Sequence, residues 1–435
     1  MSQPDDDIHA ETSTLANLTM PETAEPVADA SSAATEAPPV EQHHMLSRRT
    51  LLRLGGASIA AGTAGAAWHW RVPQVGGFLL AADIRSTFFI KAAANPATRV
   101  GEWDSLSSPA SPIPASNTRG VVTYHPWYHD FHAVLAQQSL AAIATLDASY
   151  VRTDVRWADV MPDGHTVNVD AFLWYRRFFQ VASQWYGLQP LIVLSLPPTA
   201  VTKAYAKDSP ELITAWAGYV TQVMHYLGDL THHYQVLNEP TNRLTSFLAP
   251  SNVGPAILAA EQIIRQADPH AQLAVNFLVD TWNWEADLTH ILNAMPHAID
   301  IIGLDHYPGT WTLSGIDDWN GIERILMRVQ MSQPGDLWYQ QKVALMETGF
   351  ATNVAWFRDE QQQITYFQEV ASVIQHLSQR YSDAPLALVG FYELCDWDTH
   401  AWLDPEAHFG LLTTDLQHRK AAFDVVRTMC ASLLA

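Results

Sequence analysis

From residue 119 to the end of the chain, short apolar runs recur at a steady interval, and this recurrence restricts the fold more than any other feature. The runs begin at Gly120 (GVVTYHP), Ser149 (SYVRTDV), Pro190 (PLIVLSL), His233 (HYQVLNE), Gln272 (QLAVNF), Asp300 (DIIGLDHY), Lys342 (KVALMET) and Pro385 (PLALVGFYE). Successive starts lie 29, 41, 43, 39, 28, 42 and 43 residues apart. Each interval has room for a strand, a helix and two connections, the repeating unit of a parallel sheet. Between the runs, segments such as Leu212 to Leu227 (LITAWAGYVTQVMHYL) and Ala259 to Ala267 (AAEQIIRQA) place apolar residues three and four apart, as helices do. Eight such units in residues 119–435 predict an α/β fold, the (β/α)8 TIM barrel. A doubly wound open sheet is the competing architecture. It would carry a phosphate-binding loop after its first strand, and neither GxGxxG nor GxxxxGK[ST] follows Gly120.

The text ahead of residue 119 has a different character. Residues 1–45 hold nine acids and no Lys or Arg in a background of Ala, Ser, Thr and Pro. Such a segment buries too little apolar surface to offset its chain entropy, and a disordered acidic extension is expected. In residues 46–67, Ser47-Arg48-Arg49-Thr50-Leu51-Leu52-Arg53 precedes an uncharged stretch from Leu54 to Ala67, which resembles a twin-arginine export signal. The resemblance implies the twin-arginine export machinery as a partner and an extracellular or cell-envelope destination. The uncharged stretch is 14 residues, short of the ~20 that cross a bilayer. Cleavage near Ala64-Gly65-Ala66 is therefore expected, with an uncleaved membrane tether as the alternative. Residues 68–118 end in Pro- and Ser-rich text and read as a linker.

Charge and cysteine content narrow the function classes. Against 24 Lys and Arg stand 45 Asp and Glu, a net charge of −21, so a nucleic-acid backbone would meet repulsion. Cys395 and Cys430 are too few for a disulfide scaffold, and the histidines show no spacing such as HExxH. No metal and no cofactor are expected. The 16 Trp, 14 Tyr and 15 Phe fit either a large core or stacking against flat sugar faces.

In a barrel, chemistry gathers where strands end at the carboxyl face. The fourth run ends Val236-Leu237-Asn238-Glu239-Pro240, and the seventh ends Leu345-Met346-Glu347-Thr348-Gly349. A carboxylate at the end of an apolar strand is desolvated, and is usually paired or functional. Two of them on roughly opposite strands would face one axial pocket. That is the pair glycoside hydrolysis needs, one carboxyl to protonate the leaving oxygen and one to attack carbon or activate water.

These residues resemble the clan of retaining (β/α)8 glycoside hydrolases that includes the endoglucanase-like family 5 and the xylosidase-like family 39. The resemblance spans residues 119–435. It implies Glu239 as acid/base, Asn238 as a hydrogen-bond partner of the sugar 2-hydroxyl and Glu347 as nucleophile, acting on β-linked carbohydrate. Val151-Arg152, with Trp157 five residues on, resembles the strand-two segment whose arginine supports the nucleophile. Asp305-His306-Tyr307-Pro308 resembles the segment whose tyrosine donates to it, with His306 either lining the pocket or held in its loop. Within Phe391-Tyr392-Glu393-Leu394-Cys395-Asp396-Trp397, the resemblance points to Trp397 as the floor under the sugar, with Trp402 as the alternative. The stretch from His408 to Phe423 is similar to the clan's handover to its last helix.

Strand three ends Ser195-Leu196-Pro197-Pro198, without the histidine common in family 5 and closer to family 39. His125, Trp127, Tyr128 and His129 either line the sugar pocket or pack as a loop; Trp282, Trp284 and Trp311 are either outer platforms or packed aromatics. Asp154, Glu393 and Asp396 are further carboxylates near strand ends. The expected activity is retaining hydrolysis of β-type O-glycosidic bonds. The rival reading is an exported barrel that binds carbohydrate without turning it over.

Overall fold

The computed structural model describes residues 95–435 apart from 112, 244, 280, 282, 311–314, 354–357, 383–385 and 399–403. The acidic extension, the twin-arginine segment, Trp282, Trp311 and Trp402 lie outside the described residues. Eight strands form a closed parallel barrel in sequence order: β1 (Gly120–Thr123), β2 (Tyr150–Arg156), β3 (Gln189–Ser195), β4 (His233–Val236), β5 (Gln272–Leu278), β6 (Ile301–Asp305), β7 (Lys342–Thr348) and β8 (Val389–Phe391). β1 closes the ring against β8 through Val121 opposite Gly390. The expected (β/α)8 barrel is the fold observed.

The helices pack outside the ring, and their ends follow from the sequence. Helix Val169–Tyr186 begins where the Asn168 side chain accepts from the Ala171 amide and ends at Gly187, whose φ of 65° suits glycine. It buries Phe172, Trp174, Tyr175, Phe178 and Phe179. Ahead of β1, the late part of the expected linker is packed instead. Pro96–Ser105 forms a 3-10 helix in which Trp103 is 1% exposed, its ring 5.3 Å from Trp174 and 6.4 Å from Phe178. A buried indole removes much apolar area from water, which opposes the looseness that Pro- and Ser-rich text suggests. Arg119 ties the first strand to the chain end, donating to the Leu386 and Leu433 carbonyls at 2.9 and 3.0 Å.

Alternation along the strands divides the barrel interior into two zones. Val121, Leu191, Ala274, Ile301, Ala344, Met346 and Leu388 form an apolar plug. Nearer the carboxyl ends, the inward positions are Thr123, Arg152, Asp154, Ser195, Gln235, Asn276 and Asp305, all buried. Strict alternation from Ala344 and Met346 would turn Glu347 outward. A bulge corrects this: Leu304 pairs Leu345 but Asp305 pairs Glu347, one extra residue on β7. Gly390 makes room for the bulge, since a β-carbon there would lie 1.8 Å from the Met346 carbonyl oxygen. The closed end of the barrel is therefore apolar and its carboxyl end polar. Among the described residues no helix is long and apolar enough to cross a membrane.

Candidate active site

The polar zone opens into a cavity of about 310 Å³ at the carboxyl ends of the strands. Arg152, Asn238, Glu239, Tyr307 and Glu347 all line it. Glu239 and Glu347 are each 5% exposed. On β7, Glu347 receives two donors. Arg152 Nη2 lies 2.6 Å from Oε1, and the Tyr307 hydroxyl donates to Oε2 at 2.5 Å. Both stabilise negative charge on that side chain.

Arg152 is itself fixed on every side. Nε donates to Gln235 Oε1 at 2.8 Å, Nη1 to Thr123 Oγ1 at 3.2 Å, and Nη2 also to Asn238 Oδ1 at 2.8 Å. Burial works against its charge, and Glu347, Asp154 and Asp305 outweigh that and raise its pKa. Burial chiefly, then Glu347 and Asp305, push the Tyr307 hydroxyl well above the usual phenol range, so it stays a donor.

Asn238 Oδ1 accepts from three donors: Arg152 Nη2, Gln235 Nε2 at 3.0 Å and Asn276 Nδ2 at 2.8 Å. That fixes which end of its amide is oxygen and leaves the NH2 end for the cavity. Around it the backbone is unusual, with Leu237 at φ 66° and Glu239 at φ 43°. Left-handed non-glycine residues cost on the order of 1–3 kcal/mol each and persist where neighbours enforce them. The Glu239 amide donates to Asn276 Oδ1 at 2.8 Å, and Asn242 Nδ2 donates to Glu239 Oε2 at 2.9 Å.

A second polar group lines the wall between β1, β2 and β3. His125 Nδ1 lies 3.2 Å from Asp154 Oδ2, and Ser195 Oγ donates to Asp154 Oδ1. Burial opposes ionisation of Asp154, but His125, Arg152 and Ser195 outweigh it and lower its pKa. His125, Trp127 and Tyr128 line the cavity. His129 does not; it is held by the Tyr124 hydroxyl at 3.0 Å and the Thr414 carbonyl at 2.8 Å.

One expected contact falls elsewhere, and one open alternative is resolved toward the loop. Trp397 is absent from the cavity lining, and its half-buried ring stacks on Tyr128 at 6.0 Å. β8 stops at Phe391, so Tyr392 is the aromatic at the strand's mouth and lines the cavity, 6.0 Å from the Tyr307 ring. His306 also turns from the cavity, its Nε2 2.6 Å from the Asp318 carbonyl and its ring edge-on to Trp319. Trp284 belongs to the core at 6% exposure, and Asp396 is taken up by Lys420 at 2.7 Å. Sequence reading assigned no role to Gln235, Asn276, Asp305 or Glu406. The first three occupy inward strand positions, a signal that alternation alone carries. Among the described residues no group of three His, Cys, Asp or Glu side chains is placed to hold a metal ion.

The fold and cavity define a (β/α)8 barrel with a carboxylate-lined pocket at its carboxyl end. No protein-family model matches the sequence, and no curated protein matches it. Among solved structures, the chain is similar to a family 1 β-glucosidase from Thermotoga maritima, with TM-score 0.56 and 16% identity over 72% of this chain and 97% of that one. A β-glucosidase of the same organism in complex with castanospermine gives 0.54 and 15%, over 74% and 98%. An exo-β-1,4-mannosidase from Opitutaceae bacterium strain TAV5 gives 0.54 and 16%, over 76% of this chain and 63% of that one. At such identities the likeness establishes the fold.

Proposed function

We propose that this protein is a retaining glycoside hydrolase that cleaves β-type O-glycosidic bonds. The observation that carries the reading is the pair of buried carboxyls, Glu239 and Glu347, lining one cavity with Arg152 and Tyr307 donating to Glu347. The similar structures, β-glucosidases and an exo-mannosidase, support it at the level of fold.

Glu347 attacks the anomeric carbon as Glu239 delivers its proton to the departing glycosidic oxygen. The carbon–oxygen bond breaks, and a glycosyl ester forms on Glu347. Water then attacks the same carbon, gives its proton to Glu239 and releases the Glu347 carboxylate, so two inversions return the original configuration. The free NH2 end of Asn238 donates to the sugar 2-hydroxyl, and Tyr392 takes the platform role that sequence reading gave to Trp397.

Cavity charge selects among sugars. Among the described residues Asp154, Glu239, Glu347 and Glu406 line it, while the basic side chains there, Arg152 and His125, are committed to Glu347 and Asp154. A sugar carboxylate meets repulsion there, so the reading is a neutral glycone. Residues 47–53 further support export by the twin-arginine route.

The test is product release from a panel of neutral β-glycosides and a β-glucuronide, with anomeric configuration followed by proton NMR. Neutral members are expected to be turned over with retention and the glucuronide not. Glu347→Gln is expected to lower turnover by a factor on the order of 10⁴. Tight oligosaccharide binding with no turnover by the unaltered protein would replace this reading with the binding-protein one.

A further inference from the structure

The segment that carries Asn238 and Glu239 does not hold its own shape. β4 ends at Val236, and beyond it Leu237 and Glu239 both take left-handed backbone, at φ 66° and 43°. We propose that Asn276, on β5, is the positioning residue for this segment, one amide fixing both the 2-hydroxyl donor and the acid/base. The inference rests on the glycosidase reading above.

Every polar atom of the Asn276 amide is engaged, and it is fully buried. Oδ1 accepts the Glu239 backbone N–H at 2.8 Å; Nδ2 donates to Asn238 Oδ1 at 2.8 Å and to Asp305 Oδ2 at 2.5 Å. Two of these three bonds go to consecutive residues of the β4 mouth. The pattern also fixes the amide's orientation. Turned over, its NH2 would face the Glu239 N–H and its oxygen would face Asn238 Oδ1, donor against donor and acceptor against acceptor. Asp305 holds the second N–H from β6. Space for the arrangement comes from Gly303, where a β-carbon would lie 3.0 Å from the Asn276 β-carbon.

A side chain that merely fills the barrel would affect all substrates alike when removed. One that places the acid/base affects them according to how much protonation the leaving group needs. The experiment compares kcat/KM of the full chain and of Asn276→Ala on 4-methoxyphenyl and 2,4-dinitrophenyl β-glycosides of one neutral sugar, with and without azide. Losing a positioned acid is expected to lower kcat/KM about 100-fold more on the methoxyphenyl substrate than on the dinitrophenyl one, whose own loss reports the displaced 2-hydroxyl donor. Azide is expected to raise turnover of the latter and yield a β-glycosyl azide, because it attacks the glycosyl-enzyme without needing a base. Asn276→Asp keeps the acceptor for the Glu239 amide but loses both donors, and is expected to show the same leaving-group bias if the alanine variant fails to fold. Equal losses on both substrates with no azide effect would overturn the positioning role while leaving the glycosidase reading intact. No turnover of either substrate by the unaltered protein would overturn both.

Discussion

Glu393 shows what a single buried acid does to the whole protein. It is 1% exposed, and its nearest basic atom, His125 Nε2, is 4.0 Å away. Burial, only partly offset by a hydrogen bond with Tyr128 and reinforced by Glu406, Asp396 and Glu347, pushes its carboxyl well above the usual range. A folded-state pKa above the unfolded one means the native protein holds a proton that the unfolded chain has released. Stability is then lost as pH rises from the unfolded pKa, about 4.3, toward the folded value. Glu393→Gln cannot ionise, so its melting temperature is expected to gain on the unaltered protein more at pH 8 than at pH 5. Equal differences at both pH values, by scanning calorimetry, would remove Glu393 as the source. The same residues show what a sequence reveals at this scale. Glu239 and Glu347 stood out because a charge at the end of an apolar run is costly without a purpose. Asn276 did not, because one amide in QLAVNF is what any half-polar strand contains. Its role exists only in the three bonds it makes across strands.

Strand existence was legible from apolar spacing, but two details of element geometry were not. One is where β8 ends: it closes at Phe391, which moves the mouth aromatic from Trp397 to Tyr392. The other is the β7 bulge, which alternation in KVALMET contradicts and which only the pairing to β6 reveals. The bulge depends on a neighbour without a side chain. A methyl at Gly390 would meet the Met346 carbonyl carbon at 2.6 Å and its oxygen at 1.8 Å. Gly390→Ala is therefore expected to cost about 1–3 kcal/mol or more through overpacking, a fall of at least ~2 °C in Tm. Relief by straightening β7 would turn Glu347 outward, so the proposed glycosidase activity is expected to fall further than stability alone accounts for. Unchanged Tm and unchanged kcat together would show that the bulge tolerates a side chain there.

At the scale of the whole molecule, the barrel could be read from the spaced series of strands, Glu239 and Glu347 because each closes a run in that series, and Arg152, Asn238 and Tyr307 through the resemblance those runs carry. The beginning of the folded part could not, since Pro and Ser text looks the same whether it is loose or packed. For the export reading, replacing Arg48 and Arg49 together with Lys is expected to leave the unprocessed protein inside the cell, and secretion equal to that of the unaltered chain, measured by fractionation, would refute it. The placement of Trp103 against Trp174 and Phe178 has a practical meaning for anyone who trims this protein. A gene cut at the first strand would still encode all eight strands, yet it would strip an indole from a belt of rings and leave that belt facing water. Such a fragment would be sticky as well as weakened, and aggregation on expression would then be mistaken for a faulty catalytic domain. The shorter useful piece begins ahead of Asn95, so that the chain brings its own cover.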